Sequence, residues 1–339
     1  MPSIRVAQVP SPNAPFEIVE RDTPTPGPGQ VRVAVQACGI CHSDSGFVAN
    51  VFPDVTFPLV TGHEVAGTID AIGPDVAEWR LGDRVAVGWC GGYCGHCPSC
   101  RAGDFITCEN IQVPGWSYPG GFAEALVVPA TALARVPDEL TAVEAAPLAC
   151  AGVTTYNALR RSVARAGDLV AVLGLGGLGH LGVQYAAALG FDTVAIARGQ
   201  DKAPFATELG ARHYIDSTTQ DVAKTLRALG GARVVLATVT NADAMSATID
   251  GLGRRGELVV LGVSPESLTV SPLQLINKGT AVRGHPSGSS FDTQETLAFS
   301  ALSGVRARVE TMPLAEASAA YGRMLSGAAR FRMVLTMDR

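Results

Sequence analysis

Long runs of any one kind are missing from this sequence. No basic run appears, and 26 Lys and Arg against 31 Asp and Glu give a formal net charge of −5. A nucleic-acid surface is therefore not expected. No uninterrupted apolar stretch reaches the ~18 residues needed to cross a bilayer, so no membrane partner is expected either. The first twenty residues have no basic start followed by an apolar core, as a secretory leader would, and the reading is a cytoplasmic protein. Internal repeats and low-complexity segments are absent too. Charged residues are few, 17%, against 47% hydrophobic, which fits a globular chain with sizeable cores. A chain of 339 residues, at roughly 100–200 per domain, suggests two domains.

What is present is unevenly placed. Of eight cysteines, Cys94, Cys97, Cys100 and Cys108 crowd one short loop, with Cys90 just upstream. Cys38 and Cys41 sit together and Cys150 stands alone. In a reducing compartment such clustering points to metal rather than disulfides. The first part reads as an irregular all-β lobe. Val31-Arg-Val-Ala-Val35 alternates like a half-buried strand, and apolar runs follow at 65–72, 84–88 and 122–128. Near residue 150 the texture changes. Strands are expected at 168–173, 191–197, 214–216, 234–238 and 257–263, with helices at 181–189 and 202–209. That alternation argues for a parallel sheet covered on both faces. Helices at 293–302 and 314–325 and a strand at 331–337 complete the chain.

Gly174-Leu-Gly-Gly-Leu-Gly179 matches G-x-G-x-x-G between an expected strand and an expected helix, the context that the dinucleotide fingerprint requires. Gly174 suits the tight turn. Gly176, with Gly177 and Leu178, lets the backbone approach a pyrophosphate, and Gly179 lets helix and strand pack closely. The helix N-terminus then offers N–H groups to the phosphates. NAD-binding chains of this kind usually end the next strand with an acid. Here Ala197 holds that place, Arg198 follows and Lys202 lies close by. The missing carboxylate favours NADP over NAD, although Arg198 could instead face solvent or stack on the adenine.

Four thiolates at Cys94-x2-Cys97-x2-Cys100-x7-Cys108 can close around one zinc, leaving no open position and hence a structural role. A second site, with an open position, has Cys41, His63 and Cys150 as candidates. Two cysteines and a histidine form a known catalytic arrangement for zinc. Taken alone, Cys150 reads equally well as core packing. Trp89 and Trp116 are candidates for a substrate pocket, with ordinary packing as the alternative. Cys38 reads as a buried small residue.

Six stretches together carry a resemblance: CGICHSD at 38–44, GHEVAG at 62–67, GDRVAVGW at 82–89, the four-cysteine lobe at 94–108, GGFAE at 120–124 and GLGGLGH at 174–180. In this order they make the chain resemble the zinc-containing medium-chain alcohol dehydrogenases, on the bacterial, yeast and cinnamyl alcohol dehydrogenase side. The resemblance covers essentially the whole chain. It implies an α/β protein with a GroES-like β-rich catalytic domain, 1–149 and 286–339, with the structural zinc lobe at 90–110. A Rossmann domain with a doubly wound parallel sheet is inserted at 150–285.

The resemblance further implies two zinc ions per chain, a small alcohol or aldehyde substrate, hydride exchange with the nicotinamide of NAD(P), and a homo-oligomer, either dimer or tetramer. Cys41, His63 and Cys150 fall on the catalytic zinc ligands, Glu64 beside the metal, and Asp44 on the carboxylate that orients the histidine. Ser43 falls on the hydroxyl that takes the alcohol proton. His42 and Arg332 fall on pyrophosphate contacts, Thr154 on a nicotinamide contact, and Val263 among the cofactor positions. One departure stands out. Many relatives carry a histidine where this chain has Gly46, so Gly46→His is expected to speed alcohol oxidation near neutral pH. Two other readings compete. A zinc-free quinone or enone reductase on the same architecture would not need the cysteines. A zinc-ribbon binding module would not need the dinucleotide fingerprint, and Arg101 and Asp104 are the only formal charges of the 94–108 loop, no phosphate-binding surface.

Overall fold

A computed structural model describes residues 2–337. Its strands are β1 Ser3–Gln8, β2 Glu17–Asp22, β3 Gln30–Ile40, β4 Glu64–Ile72, β5 Arg84–Val87, β6 Ala125–Pro129 and β7 Leu133–Arg135. These continue as β8 Leu169–Leu173, β9 Asp192–Ala197, β10 His213–Asp216, β11 Ala232–Ala237 and β12 Leu252–Val260. The last are β13 Ala281–Gly284, β14 Val309–Pro313 and β15 Arg332–Thr336. The chain divides into two compact units, Met1–Cys150 with Gly288–Arg339, and Ala151–Ser287. No helix among the described residues is long and apolar enough to cross a membrane.

The first unit is built on a seven-stranded sheet ordered β14-β15-β3-β4-β5-β7, with β6 also pairing β3. Its longest strand, β3, extends well past the alternating segment that marks it in the sequence. Val31, Val33 and Val35 are fully buried, and the apolar run Ala37–Ile40 continues the strand under the core. Val65, Val85, Phe122, Leu126 and Leu335 pack against it. The strands β1 and β2 escape sequence reading because β2, EIVERD, is polar and largely exposed.

The second unit is a six-stranded, wholly parallel sheet ordered β10-β9-β8-β11-β12-β13. Counted from β8, that order is 3-2-1-4-5-6, the doubly wound arrangement that binds dinucleotides. Strand β8 is buried along its whole length, as a strand covered on both faces must be. The strand expected at 257–263 ends at Val260, and Val263 lies beyond it, exposed.

Candidate active site

The antiparallel register of β3 and β4 brings together residues far apart in the chain. Gly39 pairs with Glu64 and Cys38 with Val65. Cys41, just past β3, and His63, just before β4, therefore emerge at one end of the sheet. Cys150 arrives on another element. The helix Ala142–Pro147, started by a Thr141–Glu144 capping box, gives way at Pro147 to one π-helical turn, Leu148–Gly152. Such turns recur at functional sites because they displace a residue from the regular helix face. Gly88 lets that turn come close, since a Cβ there would lie 2.1 Å from the Ala149 carbonyl oxygen.

Cys41 Sγ lies 3.9 Å from Cys150 Sγ, and Cys150 Sγ lies 3.6 Å from His63 Nε2. Tetrahedral bonds of ~2.3 Å to sulfur and ~2.0–2.1 Å to nitrogen give separations of about 3.8 and 3.6 Å. The three groups fit one zinc ion with a position left over. The Cys41, His63, Glu64 and Cys150 ligand atoms all fall within 4.8 Å of one another. Glu64 turns toward Arg332, whose guanidinium donates to its carboxylate, leaving Glu64 Oε2 and Arg332 Nε without hydrogen-bond partners among the described residues. Burial pushes Glu64 up to about 7 against the pull of Arg332. The hydrogen bond with Cys41 and burial raise the Cys150 thiol well above its ordinary value although Arg332 pulls it down, and a second buried thiolate would need a further cation.

Asp44 is fully buried, one residue into the short helix Ser43–Val48. It accepts the Cys41 N–H at 2.8 Å and the Thr61 hydroxyl at 2.6 Å. His63 Nδ1 lies 3.3 Å from Asp44 Oδ1, within ion-pair reach but off the hydrogen-bond line. Burial opposes protonation of His63, yet Asp44 and Cys41 raise it well above the ordinary histidine value. A hydrogen bond from Cys150 in turn holds the Cys41 thiol low, against its burial. This is a proton shared among groups from which a dication would displace it. Ser43 Oγ stands 3.7 Å from Cys41 Sγ.

An aromatic wall adjoins these groups. The Trp89 ring meets His63 edge-on at 5.1 Å and stacks on Phe47 at 5.9 Å. Trp116 stacks on the same Phe47 at 5.8 Å and packs on Phe52 at 5.3 Å. Both tryptophans thus share one cluster, although the Trp116 indole N–H is already committed to the Pro53 carbonyl. Phe52 also bears on the expectation for Gly46. A Cβ on Gly46 would lie 2.4 Å from the Phe52 ring, so a histidine there has no room unless Phe52 moves. Phe47, Phe52 and Thr61 are participants that sequence reading missed. Each belongs to an ordinary-looking segment and acquires meaning only from its neighbours in space.

In the cysteine lobe, Cys97 Sγ and Cys94 Sγ lie 3.8 and 3.6 Å from Cys108 Sγ, again close to the ~3.8 Å of two sulfurs on a tetrahedral zinc. The N–H groups of Cys97 and Asn110 point at the Cys94 and Cys108 sulfurs. Backbone donors from His96 and Cys97 draw Cys94 down to about 6, while burial pushes Cys100 up to about 12. All four sulfurs lie within 4.8 Å of one another.

The second unit carries the glycine motif at the end of β8. Gly174 has φ +99°, a conformation open to glycine. A Cβ on Gly179 would lie 1.9 Å from the Gly174 carbonyl oxygen, whereas a Cβ on Gly176 would meet nothing within 4 Å. The helix Gly179–Ala188 begins there with no side chain capping its N-terminus, which suits a phosphate. Ala197 ends β9 and is buried, and Arg198 after it is exposed. The nearby Asp216 is committed to the Gly199 N–H and to Thr218. Thr154 donates to the Ser287 hydroxyl at 2.9 Å. His42, in the first unit, is exposed.

Residues 27–138 match the alcohol dehydrogenase GroES-like domain, and residues 177–302 match the zinc-binding dehydrogenase family. The chain belongs to the zinc-type medium-chain alcohol dehydrogenases. It is 40% identical to an alcohol dehydrogenase of Aspergillus sp. (strain MF297-2) over 96% of this chain and 95% of that one. It is 36% identical to NADP-dependent alcohol dehydrogenase C of Mycobacterium bovis, over 95% and 94%. A cinnamyl alcohol dehydrogenase structure from Sorghum bicolor superposes with a TM-score of 0.90 at 29% identity, covering 99% and 98% of the two chains. Family and fold are those that the sequence motifs imply, and the activity is that of an NAD(P)-dependent alcohol dehydrogenase.

Proposed function

We propose that turnover depends on zinc held by Cys41, His63 and Cys150, that a second zinc closes the Cys94–Cys97–Cys100–Cys108 lobe, and that NADP is the preferred cofactor. The observation that carries the first point is the spacing of 3.9 and 3.6 Å between the donors of the Cys41, Cys150 and His63 set. When bound there, zinc supplies Lewis acidity to an alcohol or carbonyl oxygen and lowers the pKa of the alcohol.

The chain's own residues do the rest. Asp44 fixes the orientation of the His63 ring and leaves Nε2 free to act as a ligand. Arg332 engages the Glu64 carboxylate beside the thiols, so a pyrophosphate contact by Arg332 requires that pair to open. Ser43 Oγ accepts the alcohol proton and passes it toward solvent without a second side chain at Gly46. Trp89, with Phe47 and Trp116, keeps water from the open side of His63 and gives a flat apolar surface to the substrate. Gly174, Gly176 and Gly179 would admit a pyrophosphate to the helix N-terminus, and a dinucleotide held there would supply hydride chemistry. Arg198 and Lys202 would hold a 2′-phosphate, with no carboxylate at Ala197 to repel it. The clustered thiols suit a reducing compartment.

Metal removal tests the reading. Chelation should abolish alcohol oxidation, and zinc added back should restore it. Full turnover in metal-free, folded protein would refute zinc dependence.

A further inference from the structure

At the N-terminal ends of β11 and β12 the second unit has a cleft of about 960 Å³. The glycine motif follows β8, which is parallel to these strands, so the cleft lies at the opposite end of the sheet. Arg227, Arg233, Arg254, Arg255 and Lys278 line it, and no carboxylate does. Arg233 lies 4.0 Å from Asp168 Oδ2, and the repulsion among the remaining four cations would be relieved by an anion.

Three of the five have structural work. Lys278 Nζ donates to the Leu252 and Asp250 carbonyls at 2.7 and 3.3 Å, and Arg227 donates to the Asp250 carbonyl at 3.2 Å. These two residues lie at or near the ends of helices Val222–Ala228 and Pro272–Lys278, where cations offset the negative end of the helix dipole. Arg233 donates to the Arg254 and Val163 carbonyls. The Arg254 and Arg255 side chains have no hydrogen bond or ion pair among the described residues.

Their display is built into the backbone. The β11–β12 register jumps from Ala232↔Leu252 to Val234↔Glu257, so Gly253-Arg-Arg-Gly256 bulges out of the sheet. Arg255 sits at φ +53°, where a side chain is strained. The floor is backbone against backbone, for a Cβ on Gly231 would lie 2.8 Å from Gly253 Cα, and one on Gly256 would lie 2.6 Å from the Ala232 carbonyl oxygen. Two free guanidinium groups beside three further cations match a chain of phosphates better than a single anion.

We propose that this cleft binds a linear polyphosphate chain, inorganic or carried on a nucleoside, separately from the dinucleotide site. The test titrates sodium tripolyphosphate into the full-length protein saturated with reduced nicotinamide cofactor, using calorimetry. One saturable site per chain is expected, weakening with added salt. Arg254→Ala with Arg255→Gly should weaken it by at least about tenfold, since glycine suits the backbone at 255. Lys224→Ala, exposed outside the cleft, should leave it unchanged. Unchanged melting temperature and alcohol oxidation in the double variant would show that it is folded. Magnesium-free ATP should compete, and whichever of the two binds more tightly identifies the source of the chain. Absence of saturable binding, equal binding by the double variant, or equal displacement by sulfate at matched ionic strength would overturn the proposal.

Discussion

Replacing Asp44 by Asn removes one charge from a fully buried position while nearly preserving its shape. Asp44 accepts from the Cys41 N–H at 2.8 Å and the Thr61 hydroxyl at 2.6 Å, and faces His63 Nδ1 at 3.3 Å. The amide oxygen of Asn can keep the Cys41 N–H, but its NH2 group then faces Thr61 and His63. Thr61 can rotate its hydroxyl to accept. His63 cannot, because an imidazole that binds zinc through Nε2 carries its proton on Nδ1, so two donors meet. What is lost is the attraction between the Asp44 charge and His63 Nδ1 at 3.3 Å, and a donor is left facing a donor. Removing such an outer partner of a ligand histidine typically lowers metal affinity about 10–100-fold. Asp44→Asn should therefore weaken zinc at the Cys41 set by that range, with kcat/KM falling alongside. The cysteine lobe should keep its metal. Competition with a colorimetric chelator, which titrates the two sites separately, reads the outcome. Zinc affinity within twofold of wild type in a folded Asp44→Asn protein would refute the reasoning.

Other substitutions probe other links. Ser43→Ala should cut alcohol oxidation by about 10²–10⁴-fold, the usual worth of a positioned proton acceptor, with zinc content unchanged; near-full turnover would remove Ser43 from the proton path. Arg198→Ala should raise the KM for NADP and leave that for NAD nearly alone, so a wild-type kcat/KM for NAD at or above that for NADP, with both indifferent to Arg198→Ala, would overturn the cofactor preference. At Glu144 burial pushes the carboxyl up, but the Thr141 donors and Arg306 outweigh it and hold the group below its usual value. A carboxylate lowered in the folded state adds stability above its unfolded pKa, ~4.3, and loses it as pH falls through the lower folded value. Glu144→Gln should thus lower the melting temperature near neutral pH by an amount that shrinks on acidification, and a pH-independent difference would contradict the assignment.

Much of the site is legible in the chain because short motifs carry it. The cysteine lobe is local, and its three spacings already bring the four sulfurs together. The glycine motif is local too, and the Cβ collision at Gly179 and the open space at Gly176 give physical reasons for the two glycines. The Cys41 set is different. The register of β3 and β4 juxtaposes Cys41 and His63, and a π turn after Pro147 delivers Cys150. Neither leaves a local signature. The Arg332–Glu64 pair joins opposite ends of the first unit in the same way. The space at Gly46 could not be judged without Phe52, whose ring arrives from a loop. Exposed strands such as β2 were lost because polar residues hide the alternation on which reading depends.

Metal content measured beside turnover in Cys41→Ser and Cys97→Ser reaches the central claim most directly. The account expects two zinc ions per wild-type chain. Cys41→Ser should keep the lobe zinc, lose the other and have no measurable turnover, while Cys97→Ser should lose mainly stability and remain active at low temperature. A wild-type chain fully active with one zinc or fewer, or a Cys41→Ser chain with undiminished turnover, would contradict it.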